Sequence, residues 1–401
     1  MSRPLRIFLA CQQAQRRHAV PAYAFWAEYF RGAFAEAGHV CLEAPACDWA
    51  EGLLPLEPAD AAAWRQRTWE SALAYLRREH AREPIDFFLG YLFPQQVEPA
   101  ALESIRALGI PCVNFFCDNV RELRAVPAAY RGFDLHWVPE HKALPLYRAA
   151  GLPHLPAPMP CWVPSARRAA TGRETLPVTF VGTRDAQREA LFAGAIRLGL
   201  AVDLRGVGWE GSAPPPAPAP QSARDPRELA RRQFAYARQH GWAALWRKLT
   251  GSGQPRPVDF DFKPFARPAP VGDDYWTVLR ESTVCIGVNR YPSLRFPFDR
   301  PDTYSRLRDL EGPMVGACYL TEWTEGLDEL YSLGTEIETY RDAAELTAKA
   351  AELHGDAPRR ARMRAAAQRR ALNHHSIDRT LQRIAARLSV PGYRATAATP
   401  A

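Results

Sequence analysis

Residues 305–323, SRLRDLEGPMVGACYLTEW, set Arg308 three positions before Glu311, a spacing that puts both on one face of a helix. Gly312, Pro313 and Gly316 then interrupt the helix, and the apolar run ACYL carries Thr321 and Glu322 to what reads as a strand end. A carboxylate there can accept both hydroxyls of a ribose or sugar, and an arginine can neutralise phosphate. An ordinary salt bridge is the plainer alternative. A second motif, TFVGTRDAQREAL, ends a strand at Gly182 and passes through Thr183, Arg184 and Asp185 into a helix carrying Arg188. Glycine lets the backbone come close to a ligand, and the free N–H groups of the next helix offer an anion site that the arginines reinforce. That chemistry suits a diphosphate, although strand-glycine-helix turns also occur as plain connections.

The elements that must position these residues alternate along the chain. RIFLAC, IDFFLGYLF, PCVNFFCDN and FDLHWVPE read as short strands, separated by amphipathic stretches such as FWAEYFRGAFAEAG and AWRQRTWESALAYLRREHAREP. Strands of this length between helices are the signature of βαβ units and a parallel sheet. The expected fold is α/β, with two doubly wound Rossmann-like domains facing a cleft. The first spans 1–155 and a proline-rich linker 156–176. The second spans 177–385, with an insertion at 212–270, and a tail occupies 386–401. Within the insertion, SAPPPAPAPQSARDP reads as a surface loop and LARRQFAYARQHGWAALWRKL as one aromatic, basic amphipathic helix. It packs on its host domain or offers a contact surface to a membrane, a partner or a large acceptor. One long helix is expected to close the chain.

At 401 residues the chain exceeds one ordinary core, which supports two domains. With 47% hydrophobic and 24% charged residues the composition is globular, and no stretch approaches the ~20 apolar residues of a membrane span. The start, MSRPLRIFLACQQAQRRH, lacks the apolar length of a signal peptide, so a cytoplasmic location is expected, with peripheral membrane contact as a further option. The eight cysteines form no C-x-x-C pair or zinc-spaced cluster, so neither disulfide nor metal is expected. A net charge of +7 admits phosphorylated ligands, anionic lipid or nucleic acid. The densest basic run, PRRARMRAAAQRRALNHH, lacks the interleaved aromatics of a single-strand groove, so no specific nucleic acid is expected. Its terminal His374 and His375 point about 100° apart on a helix and do not share a site.

The pattern R-x-L-E-x-x-x-x-G (Arg308, Glu311, Gly316), the following ACYLTEWTEGLDELYSLGTEIETYRDAAEL and the closing HHSIDRTLQRI resemble the C-terminal half of CgeB-like glycosyltransferases, within the wider group 1 of GT-B architecture. The likeness extends to TFVGTRDAQREALFAGAIRLGLAVDLRGVGW and YWTVLRESTVCIGVNR, and more loosely to FFCDN and FDLHWVPE in the first half. The resemblance implies a nucleotide-sugar donor in the second domain. Glu311 would bond the ribose, while Gly182, Thr183, Arg184, Arg188 and Arg308 would surround the diphosphate. Asn289 and Arg290 would line the same pocket, with Gly316 and Thr321 at its edge. Many group 1 members carry a second glutamate eight positions earlier; that place holds Thr303, beside Asp302.

The implied activity is metal-independent transfer of a sugar, a hexose by resemblance, from a UDP- or GDP-linked donor to a glycan, lipid-linked or protein acceptor. No cofactor is expected beyond that co-substrate. Helix N-termini and arginines can carry the leaving-group charge. Retention, which the resemblance favours, needs no enzyme base. If a base acts, His18 after the first strand and Asp118 at the end of FFCD are the candidates by position. A nucleotide-sugar epimerase or hydrolase, and a noncatalytic sugar-nucleotide-binding module, are the competing readings.

Overall fold

A computed structural model describes residues 3–16, 18, 24–168, 173–210, 226–251 and 258–393. The chain divides into two compact units, Met1–Trp162 with Asn373–Ala401, and Val163–Leu372.

The first unit runs β1 (Arg6–Ala10), α1 (Ala24–Ala37), β2 (Val40–Leu42), α2 (Pro58–Arg82), β3 (Phe87–Gly90), α3 (Pro99–Ala107), β4 (Cys112–Phe115), α4 (Asn119–Glu122), β5 (Leu135–Val138), α5 (Leu144–Ala149) and β6 (His154–Pro156). Every strand pairs in parallel, in the order β2-β1-β3-β4-β5-β6. All residues of β1, β3, β4 and β5 are buried, as mainly apolar strands must be in a sheet covered on both faces, and the polar Arg6, Asn114 and His136 are buried with them. The sixth strand falls where proline-rich sequence argues against regular structure. It forms because it is an edge: Pro156 pairs with Val138, and an edge strand needs no N–H on its outer side.

The second unit runs β7 (Thr179–Val181), α6 (Ala186–Arg197), β8 (Asp203–Arg205), α7 (Pro226–His240), α8 (Trp242–Thr250), β9 (Ala266–Arg267), α9 (Asp273–Glu281), β10 (Cys285–Gly287), α10 (Arg308–Met314), β11 (Tyr319–Glu322), α11 (Leu327–Leu330), β12 (Glu338–Tyr340), α12 (Ala343–Gly355) and most of α13 (Ala357–His374). Its parallel sheet has the order β12-β11-β10-β7-β8-β9, so the chain builds outward from β7 on one side and then returns to β10 on the other. Open sheets of this kind bind ligands beyond the carboxyl ends of the two strands at that reversal. Here they are β7 and β10, which end at Val181 and Gly287, just before Gly182 and Asn289. The core beneath them includes Phe180, Phe192, Trp209, Ile286 and Leu320.

Three expectations change. The single helix of the insertion is two, α7 and α8, because Gly241 takes φ 96°, a left-handed value that ends one helix and turns the chain into the next. The closing helix is also two. Ser376 caps α14 (Ile377–Arg387) by accepting the Arg379 N–H at 3.3 Å. Finally, α14 lies in the first unit rather than ending the second at 385. Asp378 meets His39 Nε2 at 3.1 Å, and Arg383 donates to the Pro156 carbonyl at 2.6 Å. The proline-rich 211–225, the linker residues 169–172 and the tail from 394 lie outside the described residues.

Candidate functional site

At the end of β7, the Gly182 N–H donates to the Arg205 carbonyl (2.8 Å) and its own carbonyl accepts from Trp209 Nε1 (2.8 Å). Gly206, at φ 153°, passes so close that a Cβ would overlap the Gly182 carbonyl. The approach permitted by glycine is therefore first a contact between two turns of the sheet. Asp185 caps α6, its Oδ1 accepting the N–H groups of Gln187 (2.9 Å) and Arg188 (3.0 Å). Two of the helix-terminal donors expected to meet an anion are thus already used. Arg184 is held by Glu189 at 2.6 Å and lies 5.2 Å from the Phe262 ring. Arg188 donates to the Thr183 carbonyl (2.6 Å), lies 3.3 Å from Asp185 and stacks 5.5 Å from Phe180.

Asp309, which no motif singled out, is the hub between β10, β11 and α10. Its Oδ1 accepts from Tyr319 (2.9 Å) and Thr321 (2.8 Å), and its Oδ2 from Ser305 (2.8 Å), Asn289 Nδ2 (3.1 Å) and the Arg306 N–H (3.2 Å). It is wholly buried, and burial raises its pKa against these hydrogen bonds. Asn289 and Thr321 are therefore tied into a buried network. Glu322 receives the N–H groups of Asn289 (3.1 Å) and Arg290 (2.8 Å) and pairs with the Arg290 guanidinium at 2.5 Å. Gly287 and Gly312 leave room for the Tyr319 ring, which a Cβ on either would strike. Gly316, at φ 79°, closes α10 by donating to the Pro313 carbonyl (2.9 Å), a helix stop packed under Gln368.

Arg308 and Glu311 do share a helix face, with Arg308 Nε 3.1 Å from the Glu311 carboxylate. Glu311 also accepts from the Tyr275 hydroxyl, and the Arg308 guanidinium lies 4.7 Å from the Tyr275 ring. Burial opposes the charge on Arg308, but Tyr275 and Glu311 more than offset it and raise its pKa. The pKa of Arg188 moves the other way, lowered by burial and then, against Asp185, by the charges of Arg306 and Arg308. Three guanidinium groups thus sit within one another's field. Nε of Arg306 and Nη1 of Arg308 are buried without a hydrogen bond, and Nε of Arg188 and of Arg308 are ion-paired with Asp185 (3.3 Å) and Glu311 (3.1 Å) without hydrogen-bond alignment. Arg306 was missed on sequence, yet SR immediately before the Arg308 motif was the available signal.

In the first unit, His18 Nε2 lies 2.9 Å from both carboxylate oxygens of Asp48, which also accepts the N–H groups of Gln15 (3.0 Å) and Glu51 (3.0 Å). Nothing in the sequence linked Asp48 to His18, which lies 30 residues away. Asp118 stands at the start of α4, and its carbonyl accepts the Glu122 N–H at 2.8 Å. Asp302 accepts from the Tyr291 hydroxyl (2.9 Å) and Thr303 donates to the Thr324 hydroxyl (3.0 Å). The D-x-D spelling Asp259-Phe260-Asp261 was passed over; there Asp261 accepts the Lys263 N–H at 3.1 Å and Phe260 packs on Phe262. Among the described residues no group of three or more histidine, cysteine or acidic side chains could hold a metal. No described helix is long and apolar enough to cross a membrane.

Residues 228–386 match the family described as glycosyl transferase-like. Among solved structures, sucrose-phosphate synthase from Thermosynechococcus elongatus matches with a TM-score of 0.53 at 12% identity, over 96% of this chain and 98% of that one. The Anabaena protein HepE, in complex with UDP and glucose, gives 0.51 at 12% identity, over 96% and 99%. A glycosyltransferase from Rickettsia africae gives 0.52 at 9% identity, over 96% and 99%. No curated protein matches in sequence. The fold these likenesses define is α/β with two parallel sheets, as in the GT-B glycosyltransferases.

Proposed function

We propose that this protein is a nucleotide-sugar-dependent glycosyltransferase of the CgeB-like kind, with its donor held at the ends of β7, β10 and β11. The observation that carries the reading is the group of Arg188, Arg306 and Arg308, gathered near the reversal point of the second sheet so that their charges oppose one another, each keeping at least one buried guanidinium nitrogen without a hydrogen bond. A diphosphate would supply acceptors for them and cancel the mutual repulsion. Glu311, next to Arg308, would then accept the ribose hydroxyls, with Tyr275 fixing its orientation. Of the other proposed donor residues, Asn289, Arg290, Thr321 and Gly316 would shape the pocket through the Asp309 and Glu322 networks and the end of α10. Gly182 and Thr183 would form its β7 side, and Arg184 would brace that turn from behind.

Transfer would proceed without a metal, the arginines carrying the charge of the departing nucleoside diphosphate. Retention lets the donor phosphate take the acceptor proton, whereas inversion would assign that proton to His18, oriented by Asp48, or to Asp118. NMR of the product anomer separates the two. UDP, present in the HepE structure, is the first nucleotide to test, followed by GDP and ADP, and UDP-hexoses are the first donors. Thermal stabilisation by one of them, with turnover of its sugar donor, is the expected result; stabilisation by none removes the donor reading. Thr303, hydroxyl-paired where group 1 relatives carry a glutamate, favours the noncatalytic binding module as the second reading. That reading predicts nucleotide binding with no sugar released or transferred.

A further inference from the structure

Helices α7 and α8 form a hairpin about Gly241 with one strongly exposed face. Trp242, Trp246 and Leu249 are 66%, 68% and 64% exposed and follow the i, i+4, i+7 spacing of a single stripe. The Phe234 ring, on α7, lies 6.1 Å from that of Trp242 and is itself 54% exposed, which widens the stripe across both helices. The hairpin is well anchored on its other side. Ala237, Ala244 and Leu245 are buried, and Arg247 donates to the carbonyls of Leu294 (3.1 Å) and Arg295 (2.8 Å). Arg295 Nε in turn reaches His240 Nδ1 at 3.2 Å. The exposed aromatics therefore belong to a fixed surface.

Charge identifies the occupant. Across α7 and α8 the chain carries Arg227, Arg231, Arg232, Arg238, Arg247 and Lys248 against a single acid, Glu228 near the start of α7. A second copy docked face to face would set this positive charge against itself. The tryptophans protrude rather than line a recess, so they need a medium soft enough to enter. Tryptophan bordered by arginine and lysine is the pairing that settles at the headgroup level of an anionic bilayer.

We propose that the α7–α8 hairpin is an interfacial anchor that docks this chain on anionic lipid surfaces, with Trp242, Trp246, Leu249 and Phe234 inserted and the exposed Arg231, Arg232, Arg238 and Lys248 facing lipid phosphates. The test is co-sedimentation of the full chain, without any sugar donor, with vesicles of phosphatidylcholine and phosphatidylglycerol or of phosphatidylcholine alone. Binding should favour the anionic vesicles by about tenfold or more, weaken with salt and shift tryptophan fluorescence to the blue. The triple variant Trp242→Ala, Trp246→Ala, Leu249→Ala should lose binding about tenfold or more while keeping its melting temperature, because its side chains are exposed in the free protein. The pair Arg231→Gln, Arg232→Gln should lose the preference for anionic lipid. Equal binding to both vesicles, undiminished binding by the triple variant, or no binding to either would overturn the proposal. So would self-association, or capture of an acidic protein, that the triple variant abolishes while vesicles bind neither form.

Discussion

The strand ends of the two sheets handle charge in opposite ways. In the first unit, carboxylates are spent on the backbone. Glu140, beyond β5, accepts the N–H groups of Asn119 (2.7 Å) and Val120 (3.3 Å), and Asp48 accepts those of Gln15 and Glu51. In the second unit, Asp309 and Glu322 are likewise saturated, but Arg188, Arg306 and Arg308 keep buried nitrogens without a hydrogen bond. Each such group costs roughly 1–3 kcal/mol relative to a satisfied one. An anion can recover that cost at the three arginines, whereas the buried atoms left without partners in the first unit, such as those on Gln12, Asn114, His136 and Glu140, belong to groups with no fixed positive charge.

The largest test of this contrast is Asp309→Ala, which removes the acceptor of the buried Tyr319 and Thr321 hydroxyls and of Ser305, while the Asn289 amide keeps the Glu322 carbonyl. It should lower unfolding stability by about 3–4 kcal/mol in urea melts. A loss under about 1 kcal/mol would show that the hub does not hold the second sheet's strand ends together. In the first unit, His136 is sealed among Tyr130, Phe133 and Tyr147, and burial pushes its pKa down to about 4. The unfolded chain then binds the extra proton as pH falls from about 6.5 toward 4, so stability is lost over that window, up to about 3 kcal/mol. Histidine-to-asparagine replacement at 136 should flatten the profile; an unchanged slope would place the titration elsewhere.

Three variants probe the site more directly. Glu311→Ala should weaken nucleotide binding about 10- to 100-fold by calorimetry, with the chain still folded, because charge-assisted bonds to ribose are lost. Unchanged affinity would leave Glu311 as the partner of Arg308 and Tyr275 alone. Arg306→Ala should weaken nucleotide binding about tenfold and reduce its salt dependence, whereas Arg184→Ala, already neutralised by Glu189, should do neither. Equal effects would erase the distinction between Arg184, paired with a carboxylate, and Arg306, held by the Arg290 carbonyl and the Tyr304 ring. The smallest effect belongs to Asp378, whose pKa is lowered chiefly by the hydrogen bond from His39. The depressed value means this stabilisation is present above the unfolded pKa near 4 and lost as pH falls through the folded one. Asp378→Asn should therefore cost less than about 1 kcal/mol at neutral pH, measured by thermal melts.

Much of the fold was legible because local patterns decide it. Unbroken runs such as RIFLA and FFLG could become only buried parallel strands, and Asp185 and Ser376 sit where helices begin. Gly241 split a helix that periodicity alone had joined, and the edge strand at Pro156 hid in proline-rich sequence, since strand pairing depends on a neighbour. The site was legible in part. Arg308 and Glu311 meet as their spacing demands, but Tyr275 and Asp309 carried no signal that spacing could read.

Sequence by itself determined which residue types were available at each strand end, the (i, i+3) pairing of Arg308 with Glu311, and the alternation that yields two parallel sheets. Only the tertiary structure decided which charges were already spent. It paired Arg184 with Glu189 and Arg290 with Glu322, joined His18 to Asp48, and gathered Arg188, Arg306 and Arg308 with some of their buried nitrogens short of a hydrogen bond even where Asp185 and Glu311 lie close. The reason is that a charge's availability depends on its neighbours in space and its access to water. Both are set when strands far apart in the chain come to lie side by side.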